Sequence, residues 1–155
     1  MIVRKMRPEE FDATMTLVGY YADEAAQAVP GFADDYDENS ARDTVRLYAS
    51  NYEYCWFNAY DNTRPVGFIA GHLVACPWNR DITNAHIAFI YMLESHRTLA
   101  NFQELLGQFE DWARIAKVKE ITTGDIGINP ERTKKIYEHF DFRADLSMSK
   151  ELING

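Results

Sequence analysis

Ala85-His86-Ile87-Ala88-Phe89-Ile90-Tyr91-Met92-Leu93 is the stretch whose reading decides the fold. It is almost continuously apolar, with no regular polar alternation. That pattern fits a central strand buried on both faces. Downstream, Leu99, Phe102, Leu106, Phe109, Ala113 and Ala116 recur at three- and four-residue steps. One apolar stripe of that kind predicts a helix from about Thr98 to Ala116. Glu120 to Gly127 then reads as another strand. Strand, helix and strand in succession imply a crossover, and therefore a locally parallel pair.

Upstream, YCWFNAY (54–60) and PVGFIAGHLVA (65–75) are two β-rich runs around the turn Asp61-Asn62-Thr63-Arg64. They predict an antiparallel hairpin, so the sheet is mixed. Gly67 and Gly71 mark bends or close approaches, and Cys76 to Asp81 reads as a loop. Met1 to Lys5 is a short strand. Pro8-Glu9-Glu10 opens a long helix whose stripe is Phe11, Met15, Val18, Ala22, Ala25 and Val29, ended by Pro30-Gly31. Asp34 to Glu38 is an acidic loop, and Asn39 or Ser40 is expected to cap a second helix reaching about Tyr48. Asn129-Pro130-Glu131 opens a short helix carrying Ile136, Tyr137 and Phe140. Phe142 to Leu152 is expected to form a last strand. The order β-α-α-β-β-β-α-β-α-β describes one α/β (α+β) domain over residues 1–155, with helices on the faces of a mixed central sheet.

Composition narrows the function. A formal net charge of −8 over 155 residues disfavours nucleic acid and anionic membrane surfaces as partners, since both need clustered Lys and Arg. No apolar run approaches the roughly 20 residues of a membrane span, and the N-terminus has no secretion-type apolar region. Cys55 and Cys76 form neither a metal-type pair nor a disulfide framework, and read as buried thiols of a cytoplasmic protein. No metal-site spacing is present.

Three stretches resemble the GNAT superfamily of acyl-CoA-dependent N-acyltransferases. Arg64-Pro65-Val66-Gly67-Phe68-Ile69-Ala70 is similar to its hairpin. Ile90-Tyr91-Met92-Leu93-Glu94-Ser95-His96-Arg97 is similar to the end of its central strand. Thr133-Lys134-Lys135-Ile136-Tyr137-Glu138-His139-Phe140-Asp141-Phe142 is similar to its A-x-x-L-Y-x-x-x-G-F segment. The element order matches over nearly the whole chain. The family's R-x-x-G-x-G/A loop corresponds to Arg97-Thr98-Leu99-Ala100-Asn101-Phe102, with Ala100 and Phe102 in the glycine positions and Asp141 replacing a third glycine. In being glycine-poor the chain resembles divergent GNAT-like proteins of tailed bacteriophages.

The resemblance implies an acyl-CoA cofactor, most simply acetyl-CoA, and transfer to the amine of a small molecule or peptide. It implies that the Met92 N–H polarises the acyl carbonyl and that Met92, Leu93 and Glu94 flank the pantetheine arm. The N–H groups from Arg97 through Thr98, Leu99, Ala100, Asn101 and Phe102 would hold the pyrophosphate. Phe102 also lies on the helix's apolar stripe, which offers the core as another place for its ring. Tyr137 matches the family tyrosine whose hydroxyl faces the thioester sulfur, a general acid. His86 lies six residues before Met92; strand parity puts both on one face and makes the imidazole a candidate base. The acidic loop at 34–38 would line the acceptor cleft and attract a cationic amine. The lost glycines leave a second reading open, a catalytically silent GNAT-like binding or structural module. A homo-oligomer or a larger assembly also stays open.

Overall fold

The computed structural model describes residues 1–124, 128–145 and 148–153. Its elements are β1 (Ile2–Lys5), α1 (Phe11–Ala28), α2 (Phe32–Asp35), α3 (Glu38–Ser50), β2 (Tyr54–Asp61), β3 (Arg64–Cys76), β4 (Asn79–Met92), α4 (Leu99–Ile115), β5 (Ile121–Thr123) and α5 (Pro130–His139). The five strands form one sheet in sequence order. β1 to β4 are antiparallel neighbours, and β4 pairs with β5 in parallel. The mixed sheet and its crossover helix are thus as the apolar pattern implies.

Each face carries its own core. Leu105, Leu106, Phe109 and Ala113 of α4 and Tyr137 of α5 cover Ala85, Ile87, Ile90 and Met92 of β4 on one face. On the other, Met15, Leu17 and Val18 of α1 and Val45 of α3 meet Trp56, Phe68, Ala70 and Tyr91. Burying this much aromatic and aliphatic surface is the main force holding the layers together.

Four details differ from the sequence reading. The hairpin β3–β4 runs farther than expected, so Cys76 ends β3 and β4 starts at Asn79, leaving only Pro77 and Trp78 between them. The acidic loop contains a helical turn, α2, entered through Gly31 at φ 81°, a left-handed conformation that glycine adopts without a Cβ clash. The cap of α3 is Asp37, whose Oδ2 accepts hydrogen bonds from the Ser40 N–H and hydroxyl, each at 2.8 Å. Phe142 to Leu152 forms no strand among its described residues. β5, the strand it would have to join, is three residues long and offers little edge. Met148 and Leu152 stay exposed instead of adding to a core. Residues 125–127 of the expected fifth strand lie outside the described residues.

A fifth difference alters the site. Ala70 of β3 faces Phe89, but the next residue, Gly71, faces Ile87, so Ala88 is an extra residue in β4. Such a bulge reverses which face each side chain takes. Ala85 and Ile87 face α4, whereas Phe89 and Tyr91 face α1 and α3. Gly71 sits opposite this bulge; a Cβ there would run into the His86 carbonyl oxygen and the Phe109 ring.

Candidate active site

β4 and β5 pair only from Ala85 to Ile87 and from Ile121 to Thr123. Beyond Ile87 the described part of β4 has a neighbour on the β3 side alone, and a cleft opens on the other. Its volume is about 270 Å³, between the end of β4, the start of α4 and α5.

Backbone register determines what β4 presents there. The Leu93 N–H donates to the Val66 carbonyl at 2.8 Å, so Leu93 and Val66 are a hydrogen-bonded pair. Pairs alternate along an antiparallel ladder. Met92, opposite Gly67, therefore turns its N–H and C=O away from β3, towards the cleft. The side chain of Arg97 agrees: its Nε donates to the Met92 carbonyl oxygen at 2.7 Å. A backbone N–H aimed into an apolar cleft can polarise a carbonyl.

Arg97 fastens this strand end to α1. Its Nη2 donates to Glu24 Oε2 at 2.5 Å, and the Tyr91 hydroxyl donates to Glu24 Oε1 at 3.0 Å. Burial and the Glu24 carboxylate push the Tyr91 phenol well above its ordinary pKa. A phenol held in its neutral form keeps this hydrogen bond at any physiological pH. Nothing in the spacing of Glu24, 73 residues from Arg97, announces this clasp.

At the start of α4, Thr98 is the cap and its Oγ1 accepts from the Asn101 N–H at 3.1 Å. The Arg97 N–H goes to the Glu94 carbonyl, the Thr98 N–H to that of His96, and the Phe102 N–H to that of Thr98. Leu99 and Ala100, the first two residues of the helix, keep N–H groups with no intrahelical acceptor. The anion site expected over six residues thus contracts to two donors and the helix dipole.

Of the expected cofactor residues, Met92, Arg97, Thr98, Leu99 and Phe102 line the cleft. Leu93, Glu94, Ala100 and Asn101 do not. Leu93 gives its N–H to β3, and Glu94 begins a short 3-10 turn. Ala100 faces solvent, and Asn101 turns its amide to the His96 carbonyl. The Phe102 ring is half-buried and meets the Tyr137 ring edge-on at 5.5 Å while also walling the cleft. The opposite wall is Asn129, Arg132, Thr133 and Ile136. Their i, i+3, i+4, i+7 spacing marks one helix face and could have been read from sequence.

Tyr137 is 3 % exposed and belongs to the buried cluster that includes Met92. It lies one layer behind the cleft wall, between Phe102 and Phe142. His86 is elsewhere. The Ala88 bulge breaks the six-residue parity and puts His86 on the face opposite the Met92 side chain, beside His72 at 5.5 Å between ring centres. Six strand residues also separate the two by about 20 Å. The imidazole Nδ1 lies 2.9 Å from Thr122 Oγ1, and burial followed by the His72 charge lowers its pKa. His96 is held between Asp61 and Ser95, 3.0 and 2.8 Å away. Cys55 is buried, its thiol pushed up to about 12 by burial, whereas Cys76 is half-exposed at the end of β3.

A mixed sheet splayed at β4, with a backbone donor at the split and a helix N-terminus beyond it, is the architecture of an acyl-CoA-dependent transferase domain. The Acetyltransferase (GNAT) family profile matches residues 17–142, and the chain belongs to that family. No curated protein sequence matches it. Solved structures share its fold at low identity. A ribosomal-protein-alanine N-acetyltransferase from Brucella melitensis biovar Abortus 2308 superposes with a TM-score of 0.73 at 15% identity, covering 99% of this chain and 100% of its own. An aminoglycoside 6'-N-acetyltransferase from Acinetobacter haemolyticus gives 0.72 at 13%, covering 99% and 100%. The aminoglycoside N-acetyltransferase AAC(6')-Iy, solved with the bisubstrate analogue CoA-S-monomethyl-acetylneamine, gives 0.75 at 13%, covering 99% and 98%. Among the described residues, no helix is long and apolar enough to cross a membrane.

Proposed function

We propose that this chain is an acyl-CoA:amine N-acyltransferase that uses acetyl-CoA. The observation carrying this reading is the Met92 backbone, turned into the cleft by the register of β3 and β4 and fixed there by Arg97. The cleft suits the cofactor: it is mostly apolar along Ile90, Phe102 and Ile136, as a pantetheine arm requires, and Leu99 lines its end, where the Leu99 N–H and the neighbouring Ala100 N–H just outside it suit a pyrophosphate. When bound, an acyl-CoA supplies an activated thioester carbonyl, whose C–S bond breaks as the amine nitrogen forms a C–N bond.

The protein's part is placement and charge stabilisation. The Met92 N–H donates to the carbonyl oxygen as negative charge grows on it. Arg97 and Glu24 keep that donor from swinging back to β3. Tyr137 is the candidate proton donor to the leaving thiolate. Its support is the family motif and its place in the same buried cluster as Met92. None of the imidazoles at His72, His86 and His96 points to Met92, so water is the proposed acceptor of both the ammonium proton before attack and the nitrogen proton released as the amide forms.

The test is amine-dependent thiol release from acetyl-CoA, followed across pH. The expected acidic limb of kcat/KM tracks the ionisation of each acceptor amine and shifts when the amine is changed. Amine-independent thiol release, or none at all, would overturn the transferase reading in favour of a silent binding module.

A further inference from the structure

The second cavity lies on the opposite face of the sheet, under α1, α2 and α3, and has a volume of about 280 Å³. That is near the low end of the roughly 300–1,000 Å³ of small-molecule sites. Its floor is the sheet aromatics Trp56, Phe68 and Phe89. Trp56 and Phe68 lie 4.8 Å apart between ring centres and are 3% and 1% exposed, so these two rings are set in the core, whereas Phe89 is half-buried. Its mouth is made by Phe32 and Tyr36, half-buried and stacked at 5.6 Å, with Tyr21 edge-on to Phe32 at 5.9 Å. Tyr21 also meets Tyr91 at 5.5 Å, and Tyr91 lines the cleft that holds the Met92 N–H. One tyrosine pair therefore separates the two cavities. Phe89 and Tyr91 are two residues apart, about 7 Å along the strand, so a short alkyl tether spans them.

Charge at the mouth has one sign. Asp35 lines the pocket and, among the described residues, forms no ion pair. Asp37 lines it too, although its carboxylate caps α3. Burial, then the carboxylates of Glu38, Asp23 and Asp37, push the Tyr36 phenol up. A ring-lined pocket with a negative mouth complements an organic cation, through ring faces as well as carboxylates.

We infer that this pocket holds the body of the acceptor, and that the acceptor is a primary amine on an aromatic or bulky apolar body. The inference rests on the transferase reading and deepens it. The body sits on the Phe68 and Phe89 rings beneath Phe32 and Tyr36, and the amine passes Tyr21 and Tyr91 towards the Met92 N–H. Asp35 draws the ammonium form to the mouth. A polyhydroxylated polycation such as an aminoglycoside fits poorly, because its hydroxyls would be left unpaired against rings.

Trp56 on the pocket floor provides a readout independent of catalysis. Phenethylamine, titrated into the full chain without cofactor, is expected to change tryptophan fluorescence saturably. With acetyl-CoA present, its kcat/KM is expected to exceed those of spermidine and neamine at least tenfold. Phe32→Ala removes a half-buried ring at the mouth and is expected to lower kcat/KM for phenethylamine about tenfold, with CoA affinity kept within twofold. Asp35→Asn keeps the shape and is expected to lower it a few-fold, with loss of its salt dependence. A preference for spermidine or neamine, or acetyl-CoA binding without any phenethylamine response, would overturn the acceptor class and leave the transferase reading standing. Phenethylamine binding that Phe32→Ala weakens, without acetyl transfer, would overturn the transferase reading while keeping the pocket's ligand class.

Discussion

The two cavities are nearly equal in volume, about 270 and about 280 Å³, but they are built from different material. Beside β4 the polar work is done by backbone: the Met92 N–H at the splay and the Leu99 and Ala100 N–H groups at the helix start. Under α1 and α3 it is done by side chains, rings on the floor and carboxylates at the mouth. Backbone donors survive side-chain replacement, so under the proposed reading Ala100 and Phe102 at the family's glycine positions leave the anion donors of the first cavity in place. A side-chain pocket changes identity with each substitution, and shared fold says little about what it takes. At 13–15% identity the chain shares the architecture of the solved acetyltransferases, and that likeness carries the fold alone.

Substitutions should separate the two cavities, and the largest effect is expected at Tyr137. Tyr137→Phe keeps the ring against Phe102 and removes only the hydroxyl. The expected outcome is a fall in kcat of roughly 10²-fold with CoA affinity nearly unchanged, read by steady-state kinetics and calorimetry. Full turnover by this variant would remove the proton-donor role and turn attention to Tyr91, the tyrosine that does line the cleft.

A smaller effect is expected at His86, far from both reacting ends. Its folded pKa lies below the ordinary 6.5, through burial and then His72. Below pH 6.5 the unfolded chain therefore binds more protons at this site than the folded one. The stability contribution is complete above 6.5 and is lost as pH falls from there through the folded pKa. Urea midpoints at pH 7.5 and 5.5 should differ less in His86→Gln than in the parent chain. The same variant should leave the pH dependence of kcat/KM unaltered; a lost acidic limb would restore the histidine as base.

The legible and illegible features divide along the same line as the cavities. The apolar run at 85–93 and the stripe from Leu99 to Ala113 identified the central strand and its crossover helix, because burial imposes periodicity on the chain. The end of the strand near Leu93 and the start of the helix near Thr98 came from the same run and stripe, and the family resemblance added only the roles expected of Met92 and of residues 97–102. The Ala88 bulge was invisible in β4 itself, since any of several small residues could be the extra one. The only trace was Gly71 on the neighbouring strand, which was read as a close approach without its consequence for His86. The expected strand at 142–152 failed because apolar content alone says nothing about whether a partner edge is present. The Arg97–Glu24–Tyr91 clasp and the aromatic pocket join residues from segments far apart in sequence. No local spacing encodes them, and they become readable only once the helices are laid on the sheet.

The central claim is that backbone N–H groups at the start of α4 hold the cofactor's phosphates, and calorimetry of CoA binding against one variant tests it most directly. Leu99 is the first residue of the helix and is 47% exposed, so proline is tolerated there. Thr98, at φ −119° and ψ 156°, already has the extended backbone that a following proline requires. Leu99→Pro therefore deletes one N–H and leaves the fold intact, whereas Leu99→Ala removes the side chain and keeps the donor. The account predicts CoA binding on the order of 1–100 μM for the parent chain and for Leu99→Ala. For Leu99→Pro it predicts a loss of about tenfold, the value of one hydrogen bond to a charged group. No heat of binding in the parent chain, or equal affinity in all three proteins, would contradict it.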